Sequence, residues 1–429
     1  MPALPDLWRD GDFVRLWAAT VASQLGSFVT RTALPFAAIL VLGAGAGEVA
    51  AIKSAELVAG LTLGLLAGAW VDRLRRRPVM IVADLGRAAI LGSIPLAALT
   101  IGLSLPHLVA VAFGAAVLTT FFDVADRAFL PTVVGRARLV TANGTLTASS
   151  SAAEFVGFGA GGWLIQLLTA PIAIALDALS FLVSALFIRG IRVRESDPPT
   201  HERESVVTEI REGLRLTFRD PILRPLAMAD AAVAGFWGVF GAVYFVFATE
   251  LGFGPGVIGL VAAVGGLSSL VGAVVAGPAV GRFGVGRFLI AAMVSVTLGN
   301  ICIALTPDAT LLGLAFLLAQ QLLSDSALTA FDVVAVSIRQ ATVEDRQLGR
   351  VGASFHVLAM AAMLVGTVLG GILGELVGVR AALVVGAAGG LIAVAILWFS
   401  AVRRMRDVPR GIGPLAAPAT AREDEPLSD

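Results

Sequence analysis

The sequence predicts an all-α membrane protein with twelve transmembrane helices, arranged as two six-helix pseudo-symmetric halves. Three observations predict it: composition, the alternation of arginine between loops, and an internal repeat. Hydrophobic residues make up 57% of the 429 residues and charged residues 14%, against roughly 25% charged in a soluble domain. A soluble core could not hide that much apolar surface, whereas a bilayer is itself an apolar solvent. The 48 glycines fit as well, because glycine is frequent in membrane helices.

About 20 apolar residues cross the hydrocarbon as a helix. The stretches that qualify are Leu16–Leu42, Val49–Trp70, Val79–Leu103, Leu108–Phe122, Ala142–Leu168 and Pro171–Ile188. After a charged segment come Leu226–Leu251, Val257–Val280, Phe288–Leu305, Leu311–Val334, Val351–Val377 and Ala381–Ala401. The domain boundaries follow: 1–188 for the N-terminal half, 189–223 for a linker, 224–402 for the C-terminal half and 403–429 for a tail. The start, Met1 to Asp12, is polar and mixed in charge, unlike a cleaved signal.

Arginine sets the orientation. Arg73, Arg75, Arg76 and Arg77 follow the second span, Arg136 and Arg138 the fourth, and Arg189 to Arg224 fill the linker. Arg282 and Arg287 follow the eighth span, Arg339, Arg346 and Arg350 the tenth, and Arg403, Arg404 and Arg406 the last. The intervening loops 43–48, 104–107, 252–256 and 306–310 contain neither Arg nor Lys, and 378–380 contains Arg380 alone. Positive loops stay in the cytoplasm. Both termini and the linker are therefore expected there, in a multi-pass protein of the inner (plasma) membrane.

Within the linker, Val206, Val207, Ile210, Leu214 and Phe218 recur at helical spacing between charged residues. This predicts an amphipathic helix lying on the cytoplasmic surface. The tail is rich in Pro, Ala and charge, a composition expected to be disordered.

The halves superimpose in sequence with a constant shift of 209 residues. Gly68 falls on Gly277, Arg73 on Arg282, and Phe122-Asp123-Val124 on Phe331-Asp332-Val333. Gly157, Gly161 and Gly162 fall on Gly366, Gly370 and Gly371. Six spans per half make the repeats parallel, with a cavity between them. The small residues predict tight helix packing.

Formal net charge is zero, and nothing in the chain points to nucleic acid. The one cysteine, Cys302, and the scattered His107, His201 and His356 give no metal-ligand spacing. There is no Walker motif, so neither ATP nor a cofactor is expected. No nucleophile–base pair suggests an enzyme.

The connection Gly68-Ala-Trp-Val-Asp72-Arg73-Leu-Arg-Arg76-Arg77 resembles the loop between helices two and three of the major facilitator superfamily, Gly-x-x-x-Asp-Arg-x-x-Arg-Arg. The resemblance covers about residues 10 to 400. Its nearest branch is the drug and metabolite exporters, including macrolide and siderophore exporters. Features of that branch recur at Ser23-x-x-Gly26, Ala33-Leu34-Pro35, Asp84-x-x-Arg87, Leu130-Pro131, Ala142-Asn143 and Asp177-Ala178-x-Ser-Phe181. Gly157-Phe158-Gly159-Ala160-Gly161-Gly162 is similar to the antiporter signature Gly-Pro-x-x-Gly-Gly, with Phe158 in place of Pro. Ser27 stands where many members of the branch carry Asp.

The resemblance implies a secondary transporter, working as a monomer by alternating access, that exports a small hydrophobic or amphipathic molecule in exchange for protons. The alternatives are import or facilitated passage of a polar nutrient, or a non-transporting sensor. A sugar site would need more cavity amides than Gln24, Gln166, Asn300, Gln320 and Gln321. A sensor would need a soluble domain.

Gly68 allows close helix approach. Asp72, Arg73, Arg76 and Arg77, with Asp123 or Asp126 as partners, are expected to latch the cytoplasmic ends of the helices. Ionisable residues inside spans are costly and usually functional. Arg31 in helix one and Glu154 in helix five lie at similar depth, and a pair would lower the burial cost of each. Glu154 assisted by Arg31 is expected either as the proton-responsive centre or as a static buried ion pair holding helices one and five together, with Asp230, Asp325 and Gln24 in the cavity. Lys53 and Glu56, three apart near the outer end of helix two, are expected to snorkel.

Overall fold

The computed structural model describes residues 7–71, 73–193, 195 and 206–408, except for the side chains at 65, 66, 68, 69, 206, 207 and 345. It is almost entirely helical. The helices are α1 (Gly11–Leu42), α2 (Ala46–Val71), α3 (Arg76–Thr100), α4 (Leu105–Val134), α5 (Leu139–Leu168) and α6 (Ala170–Arg189). A short α7 (Val206–Arg219) precedes α8 (Leu223–Glu250), α9 (Pro255–Phe283), α10 (Val285–Leu305), α11 (Leu311–Thr342), α12 (Asp345–Val377) and α13 (Val379–Trp398). Ten of these are long and apolar enough to cross a membrane. Among the described residues, α2 and α5 are of spanning length, 26 and 30 residues, but are not among the ten. α5 carries a run of Thr, Ser and Gly with Glu154, which lowers its hydropathy. The fourth helix runs twelve residues past the expected Phe122, because Asp123, Asp126 and Arg127 break the apolar pattern without breaking the helix.

The core is divided. At the end bearing the turns after Leu42, Thr100, Glu250 and Leu305, one apolar cluster joins both parts of the chain. It includes Phe36, Ile52 and Phe181 from the first part and Phe236, Phe247 and Leu383 from the second. At the opposite end two clusters stay apart. One holds Phe13, Met80 and Phe129, the other Leu226, Met293 and Phe331. The bundle is thus closed at one end and split at the other.

Backbone contacts echo the repeat. A methyl group at Gly157 would lie 3.1 Å from the Leu25 carbonyl oxygen, and one at Gly161 would lie 3.2 Å from Val29 Cα, so both seat α5 on α1. Gly366 and Gly370 seat α12 on α8, where a methyl at Gly370 would lie 2.7 Å from Val239 Cα. Gly162 faces Gly259 on α9, while Gly371 faces Gly47 and Ala50 on α2. Positions 209 apart even share backbone conformation: φ is +68° at Gly43 and +92° at Gly252, and +99° at Thr169 and +89° at Gly378.

The helix expected in the linker forms as α7, and one side of it packs against α12. Gly213 lies directly against the Arg350 backbone, the buried Thr217 hydroxyl shares a 2.8 Å hydrogen bond with Ser354, and Glu212 pairs with Arg350. The tail beyond 408, expected to be disordered, lies outside the described residues.

Candidate functional site

Just inside the closed end lies a cavity of about 310 Å³ between the two parts of the bundle. Arg31 and Thr32 of α1, Lys53 of α2, and Glu154 and Phe158 of α5 form one wall. The facing wall is aromatic: Trp237, Phe240, Tyr244 and Phe245 of α8. Trp237, Phe240 and Tyr244 succeed one another at intervals of three and four residues, so they share one face of the helix, and Phe245 flanks it. Phe240 stacks on Tyr244 with centroids 4.4 Å apart, and Trp237 meets Phe240 edge-on at 5.0 Å. Such rings supply large contact area for a flat apolar ligand.

The remaining wall comes from a break in α11. Residues Gln321–Asp325 form a π-turn, a feature that recurs at functional sites because it re-aims side chains and frees backbone groups. The Gln321 carbonyl accepts from the Ser268 hydroxyl at 2.8 Å, and the Gln321 amide nitrogen donates to the Val261 carbonyl at 3.0 Å. This bracing aims Gln321 and Asp325 into the cavity. No sequence signal foretold the π-turn.

Arg31, Glu154 and Asp325 therefore share one cavity. Arg31 and Glu154 make no ion pair within 4 Å. The Arg31 guanidinium stands 5.1 Å from the Phe28 ring centroid and its charge reaches Glu154 through the cavity. The expected direct pair is thus an open arrangement. Lys53 does not snorkel. It bonds Glu56 at 2.7 Å and faces the cavity, which places two cations on the α1–α2 side.

Asp230 lies elsewhere. It lines a separate pocket of about 430 Å³ toward the split end with Asp332, Arg339 and His356. It comes seven residues after Leu223, about 10 Å from the split end along α8, whereas Asp325 comes seventeen residues before Thr342, about 25 Å from the same end along α11. Depth alone separates the two acids. Gln24 is half-buried, with its side-chain oxygen unpartnered, and is not among the residues lining the central cavity.

At the split end, Asp72 is outside the described residues, and Gly68 lies in α2 with its surroundings undescribed. Arg73, Arg76 and Arg77 make no ion pair with Asp123 or Asp126. Instead the backbone N–H groups of Arg76 and Arg77, at the start of α3, both donate to the Glu195 carboxylate at 2.7 Å. The Arg77 side chain donates to the Ile188 and Arg189 carbonyls. The expected arginine–aspartate latch is unmade here, and an acid from the linker holds the helix N-terminus instead.

Absent from the expected site but prominent in the structure is a buried cluster among α1, α3 and α6. Arg87 is 1% exposed, pairs with Asp84, and lies between the rings of Phe122 and Phe181 at 4.3 and 4.1 Å. Asp177, also 1% exposed, accepts from the Ser180 hydroxyl at 3.0 Å. Two charged motifs in the middle of apolar runs were the available signal. Among the described residues no group of three or more His, Cys, Asp or Glu could hold a metal ion.

The description of the transmembrane secretion effector family matches residues 7–415. The chain belongs to that family, within the major facilitator superfamily. This makes it a transporter of the major facilitator type rather than an enzyme. It is 31% identical over 245 residues to the multidrug efflux pump Tap of Mycolicibacterium fortuitum, covering 55% of this chain and 59% of that protein. To the uncharacterized MFS-type transporter y4rN of Sinorhizobium fredii it is 28% identical over 353 residues, covering 80% and 83%. The match spans less than two thirds of the Tap relatives' length.

In fold, the chain is similar to a bacterial homologue of the iron transporter ferroportin in its inward-facing state, with a TM-score of 0.73 at 17% identity, covering 90% of this chain and 98% of that one. The outward-facing form of that homologue scores 0.60 at 18% identity and the same coverage. The nucleoside transporter NupG scores 0.71 at 12% identity, covering 90% and 98%.

Proposed function

We propose that this protein exports small hydrophobic or amphipathic compounds in exchange for protons, by alternating access of the central cavity. In this reading α1–α6 and α8–α13 are twelve spans in two six-helix halves joined by the linker, both termini are cytoplasmic, and the chain works as a monomer in the inner membrane. The split end is then the cytoplasmic one, and the cavity faces inward.

The observation that carries the proposal is the cavity lining. An aromatic face on α8 stands opposite Arg31 and Glu154, with Asp325 at its edge. Aromatic surface with few polar groups favours flat amphipathic ligands. Glu154 and Asp325 are carboxyls that the substrate reaches directly. The name of the Tap relatives supports export of drug-like compounds. Arg31 and Glu154, apart in this state, could approach when the halves rock. Halving their separation from about 8 to 4 Å at an effective dielectric of about 20 adds about 2 kcal/mol of attraction, worth more than one pKa unit. That is enough for Glu154 to bind a proton in one state and release it in the other. The Asp72–Arg73 motif would latch the cytoplasmic end in the opposite state, and Asp72→Asn should slow transport without reducing insertion.

Everted membrane vesicles with an acidified lumen test this reading. Across a panel of amphipathic aromatic compounds, at least one should dissipate the gradient faster in vesicles holding the protein. Glu154→Gln should abolish the difference at normal protein abundance. Equal dissipation with and without the protein for every compound would rule the reading out.

A further inference from the structure

A second chamber, of about 260 Å³, lies wholly within α1–α4 and α6. Thr30, Arg31, Glu56, Arg87, Thr120 and Asp177 stand on its otherwise apolar wall. Its volume would hold several waters at about 30 Å³ each. None of its walls comes from the second half of the chain, so it is distinct from the cavity in which substrate is proposed to bind.

Its wall carries two cations, Arg31 and Arg87, and two carboxylates, Glu56 and Asp177, and these are unevenly paired. Two carboxylates, Asp84 and Asp177, are fully buried beside one buried guanidinium, Arg87. Asp84 takes that guanidinium in a direct pair. Asp177 is left with one oxygen on Ser180 and its other oxygen, Oδ2, without a hydrogen-bond partner. Arg87 Nε, on the chamber wall, is also unpartnered, and the Thr30 hydroxyl stands beside the Asp177 carboxylate without a fully formed bond. An unpaired buried carboxylate is costly, so such a group takes up a proton or finds a cation. Asp177 also sits close against α1. It is wedged against Gly26 of α1, where any side chain would strike its carboxylate.

The groups facing Asp177 can be enumerated. α3 brings Asp84 and Arg87, α1 brings Arg31 with Thr30, and α2 brings Glu56, which is held by Lys53. α4 places Asp123 and Asp126 beyond Arg87, with Arg127 beside them. α5 brings Glu154, on the far side of Arg31 in the central cavity. Arg31 is the one charged residue that lines both compartments.

We infer that Asp177 is a second proton-binding site, housed in a chamber of the N-terminal half, and that Arg31 links its protonation to the charge state of the substrate cavity. Arg31 has one positive charge to share among the carboxyls around it, Asp177 on the chamber wall, Asp123 of α4 and Glu154 in the cavity. When Asp177 is ionised, the guanidinium is drawn to the chamber and Glu154 is left to a proton or a cationic substrate. When Asp177 takes a proton, Arg31 is released toward Glu154 and such a substrate is displaced. No bond other than the carboxyl O–H forms or breaks. The transport role of this link rests on the proposed proton exchange, while the protonation itself does not.

The test is infrared difference spectroscopy of the purified full chain across an acid-to-neutral pH step, with isotopically labelled aspartate to mark aspartic C=O bands. Proton is the only ligand required. Asp177→Asn should remove one labelled band, and Arg31→Gln should move that band's midpoint to higher pH, because loss of a cation disfavours the carboxylate. Identical labelled bands in wild type and Asp177→Asn would overturn the site. A band lost in Asp177→Asn but unmoved by Arg31→Gln would overturn the link. If Asp177→Asn does not fold, the Arg31→Gln measurement decides alone, an unmoved set of aspartate bands counting against the inference. A band that behaves as expected in a protein that dissipates no proton gradient would sink proton-coupled export and leave the Asp177 site standing.

Discussion

Gly162 of α5 and Gly259 of α9 meet so closely that a methyl group on Gly162 would lie 2.9 Å from Gly259 Cα, and one on Gly259 would lie 2.8 Å from Gly162 Cα. Only two glycines let these backbones cross, and their crossing helps to shut the closed end. Gly371 against α2 does the same at the position 209 residues after Gly162. A larger side chain at either site therefore works against closure. Overpacking of this kind costs about 1–3 kcal/mol, which shifts a two-state equilibrium by roughly 5- to 150-fold. Gly162→Leu should reduce transport at least several-fold and leave the closed end open. Distances between spin labels on α5 and α9 should lengthen in this variant. Unchanged distances with normal transport would show that the contact is dispensable.

Much of this arrangement was legible in the sequence, and what was not has physical reasons. Paired glycines at a fixed shift revealed the closed crossings because a close approach demands a missing side chain. Arg31 and Glu154 were legible as cavity residues because lipid tolerates neither charge, so each had to face inward. Lys53 was not, because a lysine near a span end can equally well reach the interface, and one sequence does not tell which face of the helix it occupies. Asp230 was misplaced because residue type was weighed ahead of depth along the helix. The Asp84–Arg87–Asp177 cluster stood in the sequence as two separate motifs. Only the packing of α3 against α6 shows that they share one guanidinium too few.

Topology is open to a direct check. The single native cysteine, Cys302, is first replaced by serine. Cysteines at Gly45, Gly254 or Asp308 should then react with an impermeant maleimide applied outside intact cells. Cysteines at Ser196 or Ser428 should react only after the membrane is breached. The reverse pattern would invert the proposed orientation, and with it the inward-facing assignment of this conformation.

The linker can be separated from the transport core. Gly213 has no room for a side chain, because an added methyl would collide with the Arg350 carbonyl. Gly213→Leu should lift α7 from α12 and break the buried Thr217–Ser354 hydrogen bond, a loss of about 1 kcal/mol beyond the steric cost. Limited proteolysis should then cut the linker at least several-fold faster, while the core helices keep their protection. Equal cutting rates in wild type and variant would mean that α7 does not rest on α12 in solution.

Thr169 joins α5 to α6 with φ +99° and ψ 155°, a region open to glycine and essentially closed to β-branched residues. Gly378, 209 positions later, joins α12 to α13 at φ +89° and ψ 152°. The same tight turn is thus built twice, once with the residue that suits it and once without. The Thr169 backbone stays engaged on both sides: its N–H donates to the Ile165 carbonyl at 3.0 Å, and its own carbonyl accepts from Ala173 N–H at 3.1 Å. It cannot relax without losing those bonds. Backbone strain of this type costs about 1–3 kcal/mol, part of which glycine returns as greater freedom of the unfolded chain. Thr169→Gly should therefore stabilise the protein, raising its melting temperature in detergent by a few degrees. Thr169→Ala should give less, because it keeps a Cβ at positive φ. The reciprocal Gly378→Thr should lower the melting temperature by a similar amount. Opposite signs for the two exchanges are what a duplicated turn requires, and a loss of stability in both would mean that the Thr169 side chain makes a contact worth more than the strain it carries.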